Sequence, residues 1–157
     1  MGRSTIVSLR IFQGLLATVN LALSAFVVNW YLVTTIRGSP PSVGFLVFAA
    51  IFSLLSILHL ELVPRYFPRA GGPNLTLGVE AFNALLYFAA FIAHAVFLGS
   101  LAMCHGSVCA ASRVDSVVAA AAFCAWVAST IVTARDMFVA GLVRPGGDKT
   151  PISVREP

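Results

Sequence analysis

The sequence predicts an all-α membrane protein, an antiparallel bundle of four transmembrane helices. Two observations predict it: a composition too apolar for water, and four apolar stretches of spanning length separated by short breaks. Of the 157 residues, 59% are apolar and 10% charged, whereas a soluble domain carries about 25% charged and about 45–50% apolar residues. A chain this short and this poor in polar side chains cannot cover a water-facing exterior, so its solvent is lipid. The length permits one domain, and four spans of about 20 residues use most of it.

The four stretches are Ile11 to Val33, Val43 to Val63, Leu77 to Met103 and Val117 to Val143. Each reaches the roughly 18 residues that mark a spanning helix, and none shows the alternating polarity of a barrel strand. The expected organisation is a terminus over 1–10, a transmembrane domain over 11–143 and a disordered tail over 144–157. The first segment continues about ten residues beyond the small residues Ala22 and Ser24 and carries Gln13 and Asn20, which argues against a cleaved signal peptide.

Prolines and glycines supply the breaks. Ser39-Pro40-Pro41-Ser42 stops one helix and turns the chain, because adjacent prolines remove donors and hold the backbone. Pro64 to Pro73, with Gly71 and Gly72, forms the second break, and Cys104 to Ser112 the third. Connections this short make neighbouring helices antiparallel and adjacent.

The net charge of +4 comes from ten Lys and Arg scattered at segment ends, with no run and no aromatic interleaving. That pattern argues against nucleic acid and for topology signals. Arg3, Arg10, Arg65, Arg69, Arg144, Lys149 and Arg155 fall on one side, Arg37 and Arg113 on the other. The excess places both termini and the second loop in the cytoplasm. The sequon at Asn74 then lies on the unglycosylated side. Trp30, Tyr31 and Tyr66 suit interfacial anchors.

Cys104 and Cys109 flank four residues of the third loop, on the oxidising side of the membrane. They read as a structural disulfide, since thiol oxidoreductases use a closer C-x-x-C pair, and closing so small a loop stabilises by about 2 kcal/mol or less. Cys124 reads as a packing thiol inside the fourth helix. His59, His94 and His105 lack metal-ligand spacing and read as packing or interfacial residues, so no metal or cofactor is expected. No catalytic constellation appears either.

Intramembrane charge is the stronger lead. Glu61, Glu80, Arg135 and Asp136 fall toward the cytoplasmic helix ends, and each ionised group costs about 2.5–3.5 kcal/mol at mid-depth unless partnered. The expected solution is a polar cluster of Glu61, Glu80, Asn83, Arg135 and Asp136, with Arg135 pairing Glu80 or Glu61. Asn20, Asn29 and Asn83 are expected to bond across helices. Small residues at Ala121, Ala125, Ser129 and Thr133, and at Ala89 and Ala93, mark faces for close helix approach.

The first segment, Leu9-Arg10-Ile11-Phe12-Gln13 followed by Leu21 to Phe26 and Asn29-Trp30, resembles helix one of fungal MARVEL-domain proteins. Glu80-Ala81-Phe82-Asn83 running into Tyr87-Phe88-Ala89-Ala90-Phe91 is similar to that family's acidic-x-x-Asn stretch and aromatic patch, although Tyr87 stands where an aromatic such as Trp is expected. The cysteine pair before the fourth helix fits as well, and the similarity covers about residues 5 to 143. It implies a MARVEL fold related to the MAL and physin tetraspan proteins and to the fungal non-classical export protein. It also implies association with membrane apposition, vesicle trafficking, ordered lipid domains and, in fungi, eisosome-bearing plasma membrane.

The expected role is therefore a non-enzymatic integral membrane protein that organises membrane domains or trafficking. Its partners would be membrane lipids (sterol or sphingolipid), lateral protein neighbours and copies of itself, in the plasma membrane or secretory vesicles. The alternative is a small transporter or channel that uses Glu80, Arg135 and Asp136 as a coupling cluster. A thiol oxidoreductase using Cys104 and Cys109 is the third.

Overall fold

A computed structural model describes residues 3–35, 38–66, 72–100 and 106–143. They form four helices: α1 over Arg3–Thr34, α2 over Pro41–Tyr66, α3 over Pro73–Ser100 and α4 over Ser107–Val143. All four contain spans long and apolar enough to cross a membrane. The expected fold class, an all-α four-helix membrane bundle, is what the chain adopts.

Local chemistry sets the helix ends. Pro41 opens α2 and Pro73 opens α3, where a missing N–H costs nothing because the first donors of a helix have no partner within it. The residue before each proline closes the first turn: the Val43 amide bonds the Pro40 carbonyl at 3.1 Å, and the Leu75 amide bonds that of Gly72 at 3.0 Å. Gly106 precedes α4 at a φ of 103°, a conformation that glycine alone adopts without strain.

The helices reach beyond the expected stretches, most of all at the starts of α1 and α4. The first helix begins at Arg3 rather than Ile11, and the fourth begins at Ser107 rather than Val117. Charged and polar residues lower the apparent apolarity of the opening turns of both helices. Backbone groups approaching lipid must nonetheless satisfy one another, so the helix continues through them. At 37 residues, α4 runs about 55 Å at 1.5 Å per residue, beyond the about 30 Å of hydrocarbon. The tail over 144–157 lies outside the described residues.

The helices form a ring in which α1 packs on α2 and α4, and α3 on the same two. The start of α1, the end of α2, the start of α3 and the end of α4 share one end of the bundle, here the terminal end. Leu46, Ala49, Tyr87, Ala90, Ala122 and Trp126 lie in the apolar core. Outside, Leu15, Leu55, Leu85, Val117 and Ile131 are all more than half exposed, the distribution expected where lipid replaces water.

Candidate functional site

A stripe of polar residues on each of three helices faces inward. Arg10, Gln13, Asn20 and Ser24 share the buried stripe of α1, with Ala17 and Val27 between and after them. Their spacing alternates three and four, the period that keeps a helix face on its neighbours. On α3 the same spacing buries Glu80, Asn83, Tyr87, Ala90 and His94; on α4 it buries Asp115, Ala119, Ala122, Trp126 and Ser129.

At the terminal end, the Arg10 guanidinium donates to Glu80 Oε1 in an ion pair. The same oxygen accepts from Ser129 Oγ at 2.8 Å. Gln13 Nε2 donates to the Ala125 carbonyl at 3.1 Å, and the Arg10 guanidinium sits 5.7 Å from the Trp126 ring centre. Three helices thereby meet at one carboxylate. Arg10 and Glu80 are 7% and 0% exposed, so the charges neutralise each other out of reach of water.

Toward the middle, Asn83 Nδ2 donates to Ser56 Oγ and to the Val79 carbonyl, each at 2.9 Å. Trp126 Nε1 donates to Ser53 Oγ at 3.1 Å, which ties α4 to α2 across the ring. The far half holds a second buried carboxylate, Asp115. Its two oxygens accept from Asn20 Nδ2 at 2.7 Å and Ser24 Oγ at 2.6 Å. One turn away, His94 Nε2 bonds the Ser112 carbonyl at 3.2 Å, so the ring carries its proton on that nitrogen and joins α3 to α4.

The structure separates the cluster expected from the sequence. Glu80 and Asn83 are buried side by side on α3, but Glu61, Arg135 and Asp136 are not buried and lie toward the helix ends. Arg10, not Arg135, neutralises Glu80. The reason is position: Arg135 points outward near the end of α4, whereas Arg10 sits on the inward stripe of α1. Asn29 is likewise exposed, while Asn20 and Asn83 make their cross-helix bonds.

The small-residue faces divide in the same way. Ala125 and Ser129 are buried and Ala121 is partly so, so that face packs within the bundle; Ala89 and Ala93 point outward. Cys124 faces outward rather than into the core, and His59 is exposed. Cys109 is 5% exposed in the first turn of α4, and its expected partner Cys104 lies outside the described residues, as does His105. Among the described residues, no three His, Cys, Asp or Glu side chains are grouped to hold a metal.

Sequence reasoning missed Arg10 and Asp115. Arg10 reads as a topology charge, and Asp115 falls before the expected start of the fourth span. The signal was present: Asp115 precedes Ala119 by four and Ala122 by seven, and Arg10 precedes Gln13 by three and Ala17 by seven.

Concavities open between the described residues on two faces. A groove of about 440 Å³ runs between α3 and α4, lined by Ala84, Leu85, Phe88, Phe123, Val127 and Ile131 among others. A vestibule of about 450 Å³ opens at the terminal end between α1, α3 and α4.

Residues 3–132 match the MARVEL family, described as a membrane-associating domain. This chain belongs to the MARVEL family. No curated protein and no solved structure matches it significantly. The MARVEL match spans all of α1 to α3 and α4 as far as Val132, so it includes both buried carboxylates and every donor to them. An integral membrane protein of the MARVEL family thus joins its four helices by polar contacts in the interior.

Proposed function

We propose that the protein is a non-enzymatic organiser of membrane domains or membrane traffic, acting through lateral lipid and protein contacts. The observation that carries this reading is the inversion of polarity: Arg10, Gln13, Asn20, Glu80, Asn83 and Asp115 are turned inward, and the outer face carries large apolar side chains such as Leu15, Leu55, Leu85 and Ile131. Such a body meets its surroundings through shape and dispersion, since helices in lipid associate by close packing rather than by a hydrophobic drive. The α3–α4 groove, walled by Phe88 and Phe123 with ring centres 5.3 Å apart, is a surface of that kind. Outward Ala89 and Ala93 offer a smooth face to a neighbouring protein or a second copy.

The plasma membrane or secretory vesicles, with both termini cytoplasmic, are the setting this reading assigns. The test is reconstitution into vesicles with coexisting ordered and disordered lipid, followed by imaging of partition and lateral clustering. Clustering that survives Glu80→Gln in folded protein supports the reading; random dispersion in both phases overturns it.

A second reading, a small proton- or solute-coupled transporter, draws on Asp115, which is fully buried and makes no ion pair among the described residues. Flux across liposomes that disappears in Asp115→Asn would replace the first reading with this one.

A further inference from the structure

The vestibule at the terminal end continues the polar interior by one helical turn. Ile6 precedes Arg10 by four residues, Thr76 precedes Glu80 by four, and Thr133 follows Ser129 by four; all three line the opening together with Arg10 and Asp136. Arg10 lines it, with Glu80 and Ser129 behind Arg10. Arg10 is more than nine-tenths buried, and its Nη1 has no hydrogen-bond partner among the described residues.

Three groups on the walls are uncommitted. Thr18 and Thr130 bond the carbonyl four residues back in their helices, but Thr76 and Thr133 make no side-chain hydrogen bond among the described residues, so their hydroxyls remain available. Asp136 is exposed at the rim and makes no ion pair among the described residues. Arg10 and Glu80 cancel in charge, so among the described residues of the lining Asp136 is the carboxylate left to meet a cation. A ligand that fits must bring a cation with N–H donors for Asp136 and oxygens that accept from hydroxyls.

Depth narrows the class. The apolar stretches of α1 and α3 begin at Ile11 and Leu77, just inside the lining residues of those helices, which puts the opening at the level of phospholipid headgroups. A primary ammonium donates three hydrogen bonds, whereas a quaternary one donates none and is held best by aromatic faces. Among the described residues, the lining contains no aromatic ring.

We propose that the vestibule binds the headgroup of an amine-bearing phospholipid of the ethanolamine type. Its ammonium sits on Asp136, and its phosphate oxygens accept from Thr76 and Thr133 above Arg10. Ile6 and Met137 flank the ester region. The assignment rests on the lateral-lipid reading above and names the lipid class.

The experiment is native mass spectrometry of the full chain in detergent, titrated with ethanolamine and choline phospholipids of identical acyl chains. The expected preference for ethanolamine is about tenfold, the size of one charge-assisted hydrogen bond. Asp136→Asn should bring the two lipids to parity, and Arg135→Gln, at the neighbouring position, should keep the preference. Equal binding by the native chain, or a preference that survives Asp136→Asn, overturns the site. Displacement by soluble phosphoethanolamine at the lipid's own concentration overturns the assignment to a lipid. Headgroup preference with random dispersion in vesicles supports the site and removes the organising role; clustering without preference removes the site alone.

Discussion

Arg10 of α1 reaches across the bundle to Glu80 of α3, two helices that are not neighbours in the ring. Each is the eighth residue of its helix, so the pair ties the terminal end of the bundle across a diagonal. Ser129 adds α4 to the same oxygen.

Removing one member of this pair strands the other charge in an apolar interior. Glu80→Ala should destabilise the bundle by about 3–5 kcal/mol, and Arg10→Met with Glu80→Leu together should recover most of the loss. Unfolding of detergent-solubilised protein in a denaturing-detergent titration measures both. Equal stability of Glu80→Ala and the native chain would contradict the buried pair.

Asp115 makes the second link, between α1 and α4. Asp115→Ala leaves Asn20 and Ser24 without their acceptor and should cost about 1–3 kcal/mol. A double-mutant cycle between Asn20→Ala and Asp115→Ala should give a coupling of about 0.6–1.7 kcal/mol, the range for polar contacts between membrane helices. Zero coupling would place α4 in a different rotation.

Packing predicts a contrast between two alanines. Ala125 is 5% exposed, and its carbonyl accepts from Gln13 of α1, so Ala125→Leu should overpack the interior by about 1–3 kcal/mol. Ala93 faces outward, and Ala93→Leu should stay within about 0.5 kcal/mol in dilute detergent. Crosslinking in bilayers that falls in Ala93→Leu alone would assign that face to a second copy.

Topology is checked by single cysteines in a chain whose native cysteines are changed to serine. Gly38→Cys and Ser107→Cys should react with an impermeant maleimide from one face and Gly72→Cys from the other. The positive-inside count places Gly72 in the cytoplasm. Labelling of all three from one side would break the four-span order.

The interval between Cys104 and Cys109 is tested by alkylation with and without reductant. The proposed bridge predicts that two thiols become reactive only after reduction, while Cys124 is alkylated in both conditions once the protein is unfolded. Alkylation of all three without reductant would remove it.

The number of helices, the order of the spans and the apolar exterior were legible in the amino-acid sequence, because lipid admits only segments whose backbone bonds close within the helix and whose side chains are mostly carbon. Pro41 and Pro73 read as parts of the breaks, and the structure makes each the first residue of a helix, where its missing N–H costs nothing. Which charge meets which was decided only by tertiary structure. Glu80 could choose Arg135 by depth along the chain, but the rotation of α1 brings Arg10 to it and leaves Arg135 at the edge. Asp115 looks like a loop residue until α4 is seen to begin at Ser107, which puts its carboxyl on the buried stripe beside Asn20 and Ser24. Hydropathy averages over a helix and measures its transfer into lipid. Pairing depends on the azimuth of each side chain, and that is settled when four helices pack against one another.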